Sequence, residues 1–159
     1  MTTSPTVGRE ATELGGPGKQ GGHPVLLATL GVPFDEAGSS FAIDSALESG
    51  QALIVANITR LEPLPLSVRL GYDCLDEFTP EVSKAIRAPA ELAHSLGVRV
   101  ERLRVRSPRP VRALLQLARE RKPGLLVFGP ERQSLSLSRY QRAARAVRKG
   151  APCLVWLPL

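Results

Sequence analysis

The sequence predicts an α/β fold, in which a parallel sheet of five strands is covered by helices on both faces. Three observations lead to this prediction. Short, continuous apolar runs recur along the chain, and such runs are typical of strands buried on both sides. Segments with one apolar side alternate with those runs, so the order is strand–helix throughout. The chain has 159 residues, which is enough for one domain with a sizeable core.

The first half of the domain is predicted to hold two strands and two helices. Strands are expected at residues 24–31 and 52–58, which are apolar runs. We expect Ser39 or Ser40 to cap the helix between them and Gly50 to end it. Residues 59–78 contain two prolines and no clear period, which predicts a long loop. Thr79 and Pro80 then form a typical helix start, and Pro89 is expected to kink or split that helix.

The second half is predicted to hold three more strands and two helices. Residues 98–107 form a strand with an arginine at alternate positions, a pattern that suits the edge of a sheet. A helix marked by Val111, Leu114, Leu115 and Ala118 follows, and then a strand at residues 125–129. We expect the last helix to begin at Ser138 with a capping box to Gln141 and to end at Gly150. Residues 153–157 complete the sheet.

The ends and the composition limit the class of protein. Residues 1–22 are rich in Gly, Thr, Ser and Pro and are predicted to be a disordered tail, which leaves residues 23–159 as the folded domain. The sequence shows no signal peptide and no membrane-spanning run, so a cytoplasmic protein without a membrane partner is expected. The two cysteines and two histidines, Cys74, Cys153, His23 and His94, form no cluster, so no metal site or disulfide framework is expected.

The charge is unevenly distributed along the chain. The net charge is +6, but residues 1–96 carry 6 Lys and Arg against 12 Asp and Glu, whereas residues 97–159 carry 15 against 3. Arginine accounts for 17 of the 21 basic residues, and arginine binds planar anions better than lysine does. A basic surface in the second half of the domain is therefore expected.

A ligand site is predicted at one end of the sheet. Ligands of open parallel sheets bind beyond the carboxyl ends of the strands, where the strand order reverses. The candidate site lies between the loops that follow Leu30 and Phe128. No nucleophile-elbow or dinucleotide-binding motif is present, so no catalytic residue is assigned and an enzyme is not expected.

Three segments carry recognisable motifs: LLVFG at 125–129, SPRPVRALLQLARE at 107–120 and APCLVWLP at 151–158. They resemble, in that order, the fourth strand with the first motif glycine, the turn with the third helix, and the last strand of the universal stress protein family. The resemblance covers the chain from about residue 24 to the end. It implies a three-layer, doubly wound Rossmann-like sheet of order 3-2-1-4-5 and a role in stress physiology rather than a defined reaction. It also implies a homodimer, in which the edge strand would supply Leu154, Val155, Trp156 and Leu157.

The chain departs from the family's ATP-binding pattern. Those members carry an acidic residue at the end of the first strand, then Gly-x-x-Gly, nine residues, and Gly-Ser or Gly-Thr. Here the acidic position falls on Leu30, Gly129 matches the first glycine and Arg132 replaces the second. A side chain at that position hinders backbone contact with a phosphate. The positions that correspond to the site, which we predict to be vestigial and without a cofactor, are Thr29, Leu30, Gly31, Gly129, Arg132, Gln141 and Arg142.

The function predicted from the sequence is a non-catalytic, dimeric regulatory or interaction module. One alternative is a member that binds ATP or AMP through an altered loop. Another is anion or nucleic-acid binding through the basic half, where Arg139, Arg142, Arg145 and Lys149 line one side of the last helix. That stripe is read as a solvated face, as a surface for a protein partner such as the acidic half of another copy, or as a nucleic-acid surface. Nucleic acid is the least expected of these, since aromatic residues for stacking are scarce.

Overall fold

The computed structural model describes residues 9–14, by their backbone, and residues 22–61 and 79–158. Most of the predicted long loop, with Cys74, and the rest of the predicted tail lie outside these residues. The described strands are β1 Arg9–Leu14, β2 Val25–Thr29, β3 Leu53–Arg60, β4 Val100–Ser107, β5 Leu125–Phe128 and β6 Leu154–Trp156. The described helices are α1 Glu36–Ser49, α2 Pro80–Ser95, α3 Pro110–Arg121 and α4 Leu137–Gly150, with a short 3-10 turn at Arg132–Ser134.

The sheet has the predicted topology. Strands β4, β3, β2, β5 and β6 lie side by side in that order and are all parallel. Counted along the chain as five strands, this is the order 3-2-1-4-5. From β2, the chain first adds β3 and β4 on one side and then β5 and β6 on the other side. The strand order therefore reverses between β2 and β5.

Strand β1 corrects two predictions, that of disorder at residues 9–14 and that of β4 as an edge strand. Residues 9–14 pair antiparallel with β4, from Arg9 opposite Val105 to Leu14 opposite Val100. The physical reason is that the outer edge of β4 offers a row of backbone N–H and C=O groups, which can pair with an extended segment whatever its side chains are. Strand β4 is therefore an inner strand of a six-stranded sheet.

The core has two apolar layers, one on each face of the sheet. Helices α1 and α2 cover one face through Ala42, Ile43, Ala46, Ala90 and Ala93. Helices α3 and α4 cover the other face through Leu114, Leu117, Ala118, Tyr140, Ala143 and Val147. Strands β2 and β3 are buried on both faces, which explains why their sequences are continuous apolar runs.

Helix α1 begins earlier than predicted. It starts at Glu36 because the side chain of Asp35 accepts a hydrogen bond from the Gly38 amide at 2.9 Å, so Asp35 is the N-cap. Ser39 and Ser40 lie inside the helix. The predicted end is confirmed: Gly50 is the C-cap, with a φ of 67°.

The other helix starts show one confirmation and one error. Thr79 caps α2 as predicted. Pro89 does not split this helix, which runs continuously from Pro80 to Ser95. Helix α4 is capped by Ser136, whose side chain accepts from the Arg139 amide, and not by Ser138. Serines alternate with leucines before α4, so the sequence offers several capping residues and the tertiary contacts select among them.

Candidate functional site

The predicted site lies at the carboxyl ends of β2 and β5, which are adjacent parallel strands. Ligands of open parallel sheets bind at such an edge, because the crossovers on its two sides lead to opposite faces of the sheet. The loop after β2 leads into α1, and the loop after β5 leads through the 3-10 turn into α4. Thr29, Leu30, Gly31 and Gly129 lie at the ends of these two adjacent strands.

The end of β2 is tied down by internal hydrogen bonds. Thr29 is fully buried, and its hydroxyl donates to the carbonyl of Val32 at 2.8 Å. The amide of Gly31 donates to the side-chain oxygen of Asn57 at 2.9 Å. Gly31 has a φ of 71°, which suits glycine. The backbone at this strand end is therefore fixed by partners within the protein.

The two loops are also bound to each other, by what we call the loop clamp. The Asp35 amide donates to the Gly129 carbonyl at 2.8 Å, and the Glu131 amide donates to the Pro33 carbonyl at 2.8 Å. Phe34 and Pro130 form an antiparallel bridge between these two bonds. The Gly129 amide donates to the carbonyl of Ala28 at 3.0 Å.

The clamp leaves few backbone donors for an anion. A phosphate cradle needs free N–H groups in a glycine-rich loop. Here the amides of Gly129 and Glu131 already have acceptors, and Pro130 has no N–H group. Three consecutive residues after β5 thus offer no free amide.

Apolar side chains near the ends of the two strands belong to the core. Leu30, Leu135 and Tyr140 are buried, at 5%, 7% and 6% exposure. They belong to one apolar cluster with Phe128, and the half-buried Val32 packs against it. Leu30 stands where an acidic residue would accept hydrogen bonds from a nucleotide, and it is part of the core instead.

Arg132 covers this cluster. Its guanidinium lies 5.0 Å from the centre of the Tyr140 ring, which is cation–π geometry. The Tyr140 ring lies 6.1 Å from that of Phe128, and its hydroxyl donates to the Pro158 carbonyl at 3.4 Å. Burial raises the pKa of the Tyr140 phenol, and the charge of Arg132 lowers it by a smaller amount. Arg132 therefore closes the cluster from the solvent side.

The remaining predicted positions, Gln141 and Arg142, are not brought into the cluster. Both are exposed residues of α4, directly after the buried Tyr140. Hence the structure unites the strand ends, Gly129 and Arg132, but leaves the last pair of the family pattern on the surface.

Gly129 itself is under little steric demand. It has no positive φ, and a Cβ there would meet its nearest atom, Leu27 Cδ1, at 3.6 Å. The tighter glycine is Gly38 in α1, where a Cβ would lie 3.2 Å from Trp156 Cζ3 and 3.4 Å from the Cα of Gly129. The first turn of α1 therefore approaches the loop closely because residue 38 lacks a side chain.

Three residues that shape this edge were not predicted from the sequence. Asn57 holds the Gly31 amide across 26 positions of chain. Asp35 caps α1, where the sequence predicted a serine cap. Tyr140 lies beneath the Arg132 guanidinium. Asn57 is the one polar residue in the apolar run at 52–58, and this position could have been recognised from the sequence.

The predicted dimer edge is the outermost strand at the β6 side of the described sheet. Leu154 is 72% exposed, and Val155, Trp156 and Leu157 are half-buried. Trp156 stacks on Phe41 of α1, with ring centres 5.2 Å apart. The strand therefore presents apolar side chains and a free row of backbone groups within the part of the chain described.

A groove of about 430 Å³ lies at the opposite end of the sheet. His23, Lys122 and Cys153 contribute to its lining, and a ring nitrogen of His23 lies 2.9 Å from the Lys122 carbonyl. Burial raises the pKa of the Cys153 thiol, so this cysteine is not activated as a nucleophile. Among the described residues, no group of three His, Cys, Asp or Glu side chains could hold a metal ion, and no helix is long and apolar enough to span a membrane.

The fold and the position of its site define the chain as a Rossmann-like α/β domain with its candidate ligand edge between the first and fourth parallel strands. Residues 23–157 match the model of the universal stress protein family. The chain belongs to that family.

Solved structures share the fold. A universal stress protein in complex with cAMP is 21% identical, with a TM-score of 0.55 over 86% of this chain and 95% of that one. A universal stress protein from Archaeoglobus fulgidus is 18% identical, with a TM-score of 0.58 over 85% and 92%. Another structure from that organism, in complex with dAMP, is 17% identical, with a TM-score of 0.57 over 85% and 96%. A search of curated proteins found no match.

Proposed function

We propose that this chain is a non-catalytic regulatory or interaction module of the stress response, which has lost adenine-nucleotide binding at the carboxyl edge of its sheet. The observation that carries the proposal is the loop clamp. Two related structures hold cAMP and dAMP, so a shared fold gives a reason to test nucleotides here. In this chain, however, the amides of Gly129 and Glu131 bind protein carbonyls.

Opening the clamp for a nucleotide would be costly. At least two interloop hydrogen bonds would break, and a typical protein hydrogen bond contributes about 0.5–1.5 kcal/mol net. These costs would be subtracted from any binding energy, which for micromolar affinity is about 8 kcal/mol.

The test is calorimetric titration of the whole chain with ATP and Mg²⁺, with AMP and with cAMP. We expect no saturable heat at nucleotide concentrations up to about 1 mM. A dissociation constant in the low micromolar range, about −8 kcal/mol, would falsify the loss of the site and support the alternative, a nucleotide-binding member with an altered loop.

A second titration tests why binding is lost. Leu30→Asp restores the acidic position alone, and we expect it to remain unable to bind ATP because the clamp is unchanged. Recovery of micromolar binding by this single substitution would show that only the acid was missing.

The proposed assembly is a homodimer through β6. An apolar edge strand is an aggregation hazard unless it is covered, and Leu154 is the most exposed large apolar side chain described. A two-fold contact would cover the same strand in both copies. Sedimentation of the purified chain tests this, and a monomer at micromolar concentration would contradict it.

A further inference from the structure

Helices α3 and α4 together form one strongly basic face, whereas the sequence predicted a basic stripe on the last helix alone. Both helices pack on the same side of the sheet and contact each other. With the capping residues of α3 they carry ten cationic side chains and one carboxylate, that of Glu120. All ten cations are exposed: Arg109, Arg112, Arg119, Arg121, Lys122, Arg139, Arg142, Arg145, Arg148 and Lys149. We call this surface the α3–α4 face.

The helices on the other side of the sheet are different. Together α1 and α2 carry two cations, Lys84 and Arg87, against five carboxylates, those of Glu36, Asp44, Glu48, Glu81 and Glu91. The molecule is therefore polarised across the sheet. The long-range field of the α3–α4 face attracts anions, and that of α1 and α2 does not.

The dimensions of the α3–α4 face suit an extended ligand. Both helices follow parallel strands, so they run in the same direction, and packed helices lie about 8–10 Å apart. On α4 the cations extend from Arg139 to Lys149, which is about 15 Å at 1.5 Å per residue. The result is two neighbouring rows of positive charge rather than a single pocket.

The chemistry of the face favours phosphates over a protein partner. Eight of the ten cations are arginines, which bind phosphate oxygens in a bidentate manner. Protein interfaces depend on buried aromatic or aliphatic anchors, but Leu137 is the one large exposed apolar residue on the described parts of α3 and α4. Arg121 is partly neutralised, because it binds Glu101 at 2.7 Å.

The same composition distinguishes duplex from single-stranded nucleic acid. Single strands are held by bases stacked on exposed aromatic rings. The aromatic ring of α4, Tyr140, is buried beneath Arg132, and α3 has none. We propose that the α3–α4 face binds the phosphate backbone of duplex nucleic acid without sequence preference, an activity that goes beyond the proposed function and does not depend on the state of the nucleotide site.

The proposal sets a salt dependence. A duplex carries one phosphate charge per about 1.7 Å, so a 15 Å contact spans about nine phosphates, of which about five face the protein. The slope of log affinity against log salt should then be about −4.5, and affinity should fall about 500-fold between about 50 and about 200 mM salt.

The experiment is fluorescence anisotropy with a labelled duplex DNA of about 30 base pairs and the full chain. The test variant is Arg142→Glu/Arg145→Glu on α4. The matched control is Lys84→Glu/Arg87→Glu on α2, which changes the net charge by the same amount at two exposed helical positions on the other side of the sheet. Circular dichroism melts establish that both variants fold.

We expect the α4 variant to bind at least about tenfold more weakly at low salt, with a slope smaller by about 2. The control should change binding less than about threefold, because distant charges are screened. A second α4 variant, Arg142→Gln/Arg145→Gln, removes the two charges without reversing them and should also weaken binding. It replaces the glutamate variant if charge reversal destabilises the helix.

Four results would overturn the proposal. The first is that the wild type does not bind the duplex at about 50 mM salt, and the second is that the α4 and control variants weaken binding equally. The third is that the wild type binds a single strand of the same length more tightly than the duplex. The fourth is that the wild type binds phosphatidylglycerol vesicles but not the duplex. The second would mean that net charge and not this face governs binding, and the last that the face recognises a lipid surface.

Discussion

The bond between Asn57 and the Gly31 amide gives the most sharply defined stability prediction. Asn57 is 7% exposed, and its side-chain oxygen accepts the Gly31 N–H at 2.9 Å. Asn57→Leu keeps a side chain of similar size but removes the acceptor. A buried N–H group without a partner costs about 1–3 kcal/mol, and for a domain of this size 1 kcal/mol corresponds to about 4 °C in Tm. We therefore expect the Tm to fall by roughly 4–12 °C.

A matched control lies two residues further along the same strand. Thr59 is 4% exposed, and its hydroxyl donates to the Val105 carbonyl at 3.4 Å, which is long for such a bond. Thr59→Val should cost less than about 1 kcal/mol. The assay is urea unfolding followed by circular dichroism, with thermal melts for comparison. Equal losses in both variants, or a loss below about 0.5 kcal/mol for Asn57→Leu, would show that Asn57 does not hold this end of the sheet.

Three further predictions concern the dimer edge, the buried phenol and the close approach of α1. Leu154→Glu should convert the dimer into a folded monomer, as measured by sedimentation. The control Leu92→Glu, at a residue that is 53% exposed on α2, should remain a dimer. Dissociation of both variants would contradict the β6 interface. Burial raises the pKa of Tyr140, so the phenol keeps its proton to higher pH in the native state than in the unfolded chain. The wild type should therefore lose more stability than Tyr140→Phe as the pH rises above about 10. An equal loss of stability in both proteins between about pH 9 and 11 would refute this. Gly38→Ala should be destabilising by about 1 kcal/mol, because overpacking at 3.2 Å outweighs the better helix propensity of alanine. Gly129→Ala should change stability by less than about 0.5 kcal/mol. A larger loss of stability in Gly129→Ala than in Gly38→Ala, measured by chemical unfolding, would mean that α1 does not approach the loop as closely as described.

The parallel sheet was predictable because its cause is local. A strand covered on both faces must be apolar along its length, and β2, β3 and β5 show this directly in their sequences. The position of the candidate site followed from the alternation of strands and helices, since the topology rule needs only the strand order.

Features that depend on distant partners were not predictable. The pairing of residues 9–14 with β4 uses backbone groups, which no side-chain pattern records. The loop clamp likewise joins carbonyls and amides about 95 positions apart. The helix starts were misplaced where neighbouring residues could each act as a cap, as Asp35 and Ser39 can before α1, and only the three-dimensional contacts decide between them.

The most direct test of the account is amide hydrogen exchange, followed by NMR, at the loop clamp. The amides of Asp35, Gly129 and Glu131 have carbonyl acceptors at 2.8–3.0 Å within the protein. The account predicts that all three are protected from exchange and that neither their protection nor their chemical shifts change when about 1 mM ATP and Mg²⁺ are added, a concentration that would saturate a micromolar site. The opposite result is rapid exchange of the Gly129 and Glu131 amides without nucleotide, followed by protection and shifted resonances when ATP is added. It would show that the loops form an open phosphate site and would contradict the central claim.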